Sequence, residues 1–293
     1  MNKTLEHALA FFTIAIWAIT FITTKELQNT FSSLEILFIR YFIAYIALWF
    51  MCPKRIKFEW KTEKYFIAAS ICGASLYQYL ENVSVEYTTP ASVSFITALA
   101  PLFTAIFAHF ILKEKLTKRM IIGMLISIAG VGLISFGDSK ALETGLLGDV
   151  IIFCTVWLWA VYSILVKKID DFGFPGFAVT RRIFFYALVV MIVPISLTAD
   201  VSVSDFTVSS IANLLYLGVL ASALCFYTWN RAVARLGTIT ASKYLFIMPI
   251  ITFFAQLVYN KSVVGVASTI GMATILLGLF ISEQKSGDVI EEK

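Results

Sequence analysis

Residues 79–104 read YLENVSVEYTTPASVSFITALAPLFT, and residues 227–252 read YTWNRAVARLGTITASKYLFIMPIIT. Set one above the other at an offset of 148, they pair Tyr79 with Tyr227, Asn82 with Asn230, Ser94 with Ser242, Pro101 with Pro249 and Thr104 with Thr252. The same offset brings Gly123, Met124 and Gly130 onto Gly271, Met272 and Gly278. Chance rarely keeps Gly, Pro and Asn together. At an offset of 142 the earlier segments match as well: Trp17-Ala18 with Trp159-Ala160, Lys25 with Lys167, and Arg40 with Arg182. The chain reads as a duplication, with a first repeat over 1–144, a second over 145–283 and a short tail over 284–293.

Both copies are strongly apolar. Of 293 residues 59% are hydrophobic and 14% charged, and the mean hydropathy is +0.85. An ordinary soluble domain carries about 25% charged residues, so this composition excludes a soluble enzyme and points to lipid as the solvent. A bilayer core needs roughly 20 apolar residues per helix. That window fits at 5–24, 33–52, 64–83, 88–112, 118–136, 147–167, 174–198, 209–230, 237–259 and 263–282. The expected fold is all-α and integral to the membrane, with ten spans. The first apolar run is near twenty residues and lacks an A-x-A cleavage site, so it is expected to stay as the first span. Cys52, Cys72, Cys154 and Cys225 lie far apart in apolar stretches and read as small hydrophobes.

Lysine and arginine sort by loop. With the N-terminus inside, one side holds sixteen of them: Lys3, Lys54, Arg55, Lys57, Lys61, Lys64, Lys113, Lys115, Lys118, Arg119, Lys167, Lys168, Arg231, Arg235, Lys285 and Lys293. The other side holds only Lys25, Lys140 and Lys261. Positive residues are retained on the cytoplasmic side, so both termini are expected there, in a bacterial-type inner membrane. Five spans per repeat is an odd number, so the second copy enters the membrane upside down. Inverted five-helix repeats are an architecture of secondary transporters, whose substrate sites lie near the midplane between the repeats.

The motifs carry a family likeness. Trp17-Ala18-Ile19-Thr20-Phe21, Arg40-Tyr41, Ala100-Pro101-Leu102-Phe103-Thr104, Leu112-Lys113-Glu114-Lys115-Leu116-Thr117, Gly123 and Gly130-Val131-Gly132 resemble, in order and spacing, the ten-helix EamA-type exporters of the drug/metabolite transporter superfamily. Asn260-Lys261-Ser262-Val263 departs from the family's usual Gly-Glu pair, and Lys243 stands opposite Phe95 of the first copy. The resemblance implies a central cavity lined by spans 1, 3, 4, 6, 8 and 9, with spans 5 and 10 as supports.

Residues that could line such a cavity follow from spacing. Ser75, Tyr79 and Asn82 fall at i, i+4 and i+7 on one face of the third span, and Tyr227 and Asn230 repeat the last two in the eighth. Trp17, Thr20, Trp159 and Tyr162 would add stacking and hydrogen-bonding surfaces from spans 1 and 6. Ser94, Thr97 and Ser242 read equally as cavity residues and as helix-packing residues. Lys243 has two readings: it meets an anionic group of the substrate, or its stem reaches the cytoplasmic interface. Arg40 and Arg182 are expected to serve structural pairing or interface anchoring. Pro101 and Pro249 bend matched helices, as gates or as static shape. Glu81, at the outer end of the third span, is the single near-cavity candidate for a proton site. Gly123, Ser127, Gly130, Gly271 and Gly278 suit close helix packing within or between chains.

No zinc, nucleotide-binding or catalytic constellation appears, so no enzyme activity, cofactor or metal is expected. The net charge of +4 forms no basic stripe for nucleic acid. The expected partners are a small-molecule substrate and membrane lipid, with monomer and homodimer both open. The leading expectation is export of a small metabolite, an amino acid or a related zwitterionic or anionic compound, by alternating access. Proton-coupled efflux of aromatic or cationic toxic compounds is the alternative within transport. A non-transporting membrane scaffold or a membrane enzyme is the alternative outside it.

Overall fold

Long apolar runs leave a backbone in lipid no hydrogen-bond partner but itself, and every regular element among the described residues is helical. The structure is a computed structural model that describes residues 3–88, 90–136, 145–260 and 266–283. Lys140, Lys261, the rest of the 261–263 turn, the tail from 284 to 293, the 144/145 boundary and the side chain of Ser94 lie outside the described residues.

Helix α1 (Lys3–Leu27) leads into α2 (Ser33–Met51), which opens on a capping box. Ser32 Oγ accepts from Glu35 N, and the Glu35 carboxylate accepts from Ser32 N at 2.7 Å. Next, α3 (Trp60–Ala69) runs through a π-helical segment, Ser70–Ser75, straight into α4 (Leu76–Tyr87). The following window folds as two segments, α5 (Pro90–Thr97) and α6 (Ala100–Leu112). Then come α7 (Lys118–Phe136), α8 (Leu146–Asp170) and α9 (Gly176–Thr198). The pattern repeats, since α10 (Val208–Leu215) passes through the π-helical segment Tyr216–Leu224 into α11 (Cys225–Leu236). The chain continues through α12 (Thr238–Ser242), a 3₁₀ turn over Lys243–Ile247, α13 (Met248–Asn260) and α14 (Val266–Glu283).

Two expected long helices tighten rather than run on as α-helix. Ala98 N and Leu99 N bond back three residues to Phe95 O and Ile96 O, and Lys243–Ile247 is a 3₁₀ turn. Pro101 and Pro249 each follow as the second residue of a new α-helical segment, where the N–H that proline lacks is not needed. Glu114, just past α6, stitches this region together by accepting from Thr238 N at 2.8 Å and Ile239 N at 2.9 Å.

The packing partners are reciprocal. Helix α1 lies on α11 and α4 lies on α8; α2 lies on Tyr216–Leu224 and α9 lies on Ser70–Ser75. The α7–α14 pair is the most extensive. A Cβ on Gly123 would stand 2.4 Å from Gly278 O, and one on Gly278 would stand 2.5 Å from Gly123 O. These glycines let the two backbones touch within one chain. Among the described residues, seven helical stretches are long and apolar enough to cross a membrane.

Candidate functional site

Four elements meet at the centre through aromatic rings. Trp17 of α1 lies 5.5 Å from Trp159 of α8 and 5.4 Å from Trp229 of α11, ring centre to ring centre. Trp159 also lies 4.9 Å from Tyr77 of α4 and 5.2 Å from Tyr162. Trp17 donates its indole N–H to Ala221 O at 2.8 Å. The buried indole N–H groups of Trp159 and Trp229 have no hydrogen-bond partner among the described residues.

Against this aromatic layer lies a cavity that Trp17, Thr20, Trp159, Arg40, Tyr77 and Glu81 help to line, with Leu245 and Met248 closing it from the second half. It encloses about 360 Å³ of empty space. Arg40 is 3% exposed and donates from Nε to Ser222 Oγ at 2.9 Å. Glu81 is 9% exposed and accepts from Tyr77 Oη at 2.6 Å and Gln78 Nε2 at 2.8 Å. The guanidinium and the carboxylate face the same space, and among the described residues no ion pair joins either of them to a partner.

The residues expected from the sequence divide between this cavity and other places. Trp17, Thr20, Trp159 and Glu81 line it. Thr20 turns its hydroxyl onto Trp17 O at 2.6 Å. Tyr162 is fully buried beside Trp159 and donates to Asn230 Oδ1 at 2.8 Å. Asn230 and Tyr227 line a second cavity with Arg231 and Arg235, about 880 Å³ of empty space at the C-terminal end of α8. There Tyr227 stacks on Phe177 at 3.6 Å, and Arg231 pairs with Glu6 at 2.8 Å. Trp159, Tyr162 and Asn230 thus stand in a row between the two cavities.

Other residues sit elsewhere. Ser75 and Tyr79 do share a lining, but of a groove between α2, α4 and α9 rather than of the central cavity, with Ser75 buried and Tyr79 exposed. Asn82 donates to Ser33 O at 3.3 Å and ties α4 to α2. Thr97 is buried, and its hydroxyl is without a partner among the described residues. Ser242 donates to Ile239 O at 2.9 Å. Lys243 is 2% exposed with Nζ 3.5 Å from Ser282 O of α14; it lines none of these cavities and does not reach the surface.

Arg182 forms the expected structural pair, with Glu63 at 2.6 Å. Arg40 is likewise held by a buried partner, Ser222, is too deep to anchor at an interface, and in addition lines the central cavity. Tyr77, Gln78 and Trp229 were not singled out by spacing. The signal for Arg40 was available: it is a mid-span arginine with no carboxylate one turn away on its own helix.

Comparisons with known proteins agree with this architecture. The model of the EamA-like transporter family matches residues 4–136 and 146–283. Among the similar proteins, the uncharacterized transporter YyaM of Bacillus subtilis is 27% identical over 73% of this chain and 71% of its own length. A probable terminal-alkyne amino-acid exporter of Streptantibioticus cattleyicolor is 24% identical over 74% of this chain and 73% of its own. One solved crystal structure shares the fold with a TM-score of 0.78 at 16% identity, covering 96% of this chain and 97% of the other.

Proposed function

Because this chain belongs to the EamA-like transporter family and is a multi-pass membrane transporter, we propose that it exports a small zwitterionic metabolite of the amino-acid class. The observation that carries the reading is the central cavity itself, where buried Arg40 and buried Glu81 face one space without touching. A guanidinium fork suits a carboxylate, a carboxylate suits an ammonium, and the unpartnered indole N–H of Trp159 offers one more donor. Buried charges in a membrane protein commonly mark substrate pathways. The relative named as an amino-acid exporter supports the same substrate class.

The transport cycle follows from the duplication. The reading takes the chain as ten spans in two inverted repeats, 1–144 and 145–283, with both termini in the cytoplasm of an inner membrane. Its support is the reciprocal packing and the two matched π-helical segments. Rocking of one repeat against the other would open the cavity to either side in turn. On the side assigned to the cytoplasm, the row of Trp159, Tyr162 and Asn230 with the Glu6–Arg231 pair is the closed gate. Pro101 and Pro249, each just after a tightened turn, are the hinges.

A second reading rests on Glu81 among Trp17, Trp159 and Tyr77. Aromatic faces around a carboxylate also suit an organic cation, which would be exchanged for protons. Counterflow in proteoliposomes, with a panel of labelled amino acids and one organic cation, each with and without a pH gradient, separates the two. Amino-acid exchange supports the first reading. Proton-driven cation exchange without amino-acid exchange contradicts it and supports the second.

A further inference from the structure

A third cavity, about 580 Å³ of empty space, opens at the end of the bundle where the Lys54–Lys64 segment lies. Its lining includes three guanidinium groups, Arg55, Arg181 and Arg182, and the rings of Tyr45, Trp49 and Phe185. The Trp49 ring takes Arg181 at 3.8 Å and Arg55 at 5.4 Å. Arg181 is 5% exposed and held in place by donating to the carbonyls of Cys52 and Lys54. Arg182 pairs with Glu63, whose same oxygen also accepts from Tyr186 at 2.6 Å. Among the described residues, no carboxylate pairs with Arg55 or Arg181. Three guanidinium groups thus share one cavity with a single carboxylate partner among the described residues, which leaves a net positive charge there for an anion.

We propose that this cavity binds the phosphate headgroup of an anionic phospholipid from the leaflet it faces. A phosphodiester presents the flat pair of oxygens that arginine forks engage, and basic pockets between membrane helices hold acidic headgroups. The neighbouring surface fits the tails: Ile46 and Phe50 of α2 and Phe185 and Val189 of α9 are exposed on either side. Free phosphate shares the headgroup chemistry, but it has no use for that apolar flank. The site is separate from the central cavity, and the assignment does not depend on which substrate is exported. A bound lipid here would brace α2 against α9, the pair that joins the two halves beside the central cavity.

Native mass spectrometry of the full chain in detergent tests the assignment. The protein is offered phosphatidylglycerol and phosphatidylcholine in equal amounts, then phosphatidylglycerol with inorganic phosphate at millimolar excess. The expected result is preferential retention of one phosphatidylglycerol per chain that inorganic phosphate does not displace. A surface arginine contributes about 1 kcal/mol to attraction of acidic lipid, so Arg55→Gln should cut that retention about fivefold. Arg55 is exposed and makes no ion pair among the described residues, so its loss should leave the fold and melting temperature alone. Lys61→Gln removes the same charge from the same segment outside the cavity and should retain the lipid. Equal retention of both lipids, displacement by inorganic phosphate, an unchanged Arg55→Gln, or an equal loss in Lys61→Gln would each overturn the assignment.

Discussion

Helices α4 and α11 occupy matching places in the duplicated sequence, yet they bring opposite chemistry to the centre. At the offset of 148, Glu81 stands opposite Trp229, Gln78 opposite Phe226 and Tyr77 opposite Cys225. The first copy supplies a carboxylate with two hydrogen-bond donors to hold it, and the second supplies a fully buried apolar wall. The second helices diverge in the same way, Arg40 toward the cavity and Arg182 onto Glu63. In these two helices the matched pairs, Tyr79 with Tyr227 and Asn82 with Asn230, lie away from the central cavity, whereas Trp17 and Trp159, matched at the offset of 142, both line it. The central cavity thus joins side chains that match between the two halves of the sequence, Trp17 and Trp159, to side chains that do not, Glu81 among them.

The largest expected break in that contrast is Glu81→Gln. Charged hydrogen bonds contribute about 1.5 to 3 kcal/mol, so transport kcat/KM for a zwitterion should fall by about tenfold to a hundredfold. Proteoliposome counterflow measures it, and an unchanged value would return Glu81 to a structural role. Arg40→Lys keeps the charge but loses the planar fork, and an increase in KM of about tenfold is expected. Lys243→Met should raise KM less than Arg40→Lys does, because Lys243 lies on α14 rather than on the cavity. The reverse order would favour Lys243 as the anion-binding residue.

Smaller effects sharpen the frame side of the contrast. Gly123→Ala places a methyl 2.4 Å from Gly278 O, and overpacking of this kind costs about 1 to 3 kcal/mol. The thermal midpoint in detergent should drop while KM is kept. A drop in transport without a drop in midpoint would mean that α7 moves during the cycle. Glu6→Gln removes the charged partner of Arg231 from a pair in which Arg231 is 38% exposed and Glu6 only 4%, so its loss costs more than the roughly 1 kcal/mol of a fully open pair and less than the roughly 3 kcal/mol of a fully buried one. The midpoint should fall, but by less than in Gly123→Ala. Maleimide labelling of Cys225, buried on α11, should rise slightly as the gate opens more often.

Much of this was legible in the sequence, for identifiable reasons. The helical windows follow from hydropathy, because a backbone in lipid has no other way to satisfy itself. The close α7–α14 contact was legible in Gly123, Ser127, Gly130, Gly271 and Gly278. The side of a helix was harder. Spacing groups Ser75, Tyr79 and Asn82, but periodicity does not say which way a face points: Ser75 and Tyr79 line the groove beside α2 and α9, while Tyr77, Gln78 and Glu81 line the central cavity. The π-helical segments at 70–75 and 216–224 leave no mark on hydropathy, since an i→i+5 hydrogen bond changes register without changing residue type. Glu81 looked like a span end because a hydropathy window counts any carboxylate against burial. Its partners, Tyr77 and Gln78, offset that cost locally.

The most direct test of the central claim is competition in counterflow by the exported amino acid's own blocked forms, one with the carboxylate esterified and one with the amine acetylated. If Arg40 and Glu81 hold the two ends of a zwitterion, the wild-type chain rejects both blocked forms. Arg40→Lys should then lose its discrimination against the ester, and Glu81→Gln its discrimination against the acetylated compound. Competition by both blocked forms as strong as that of the parent amino acid would contradict the account.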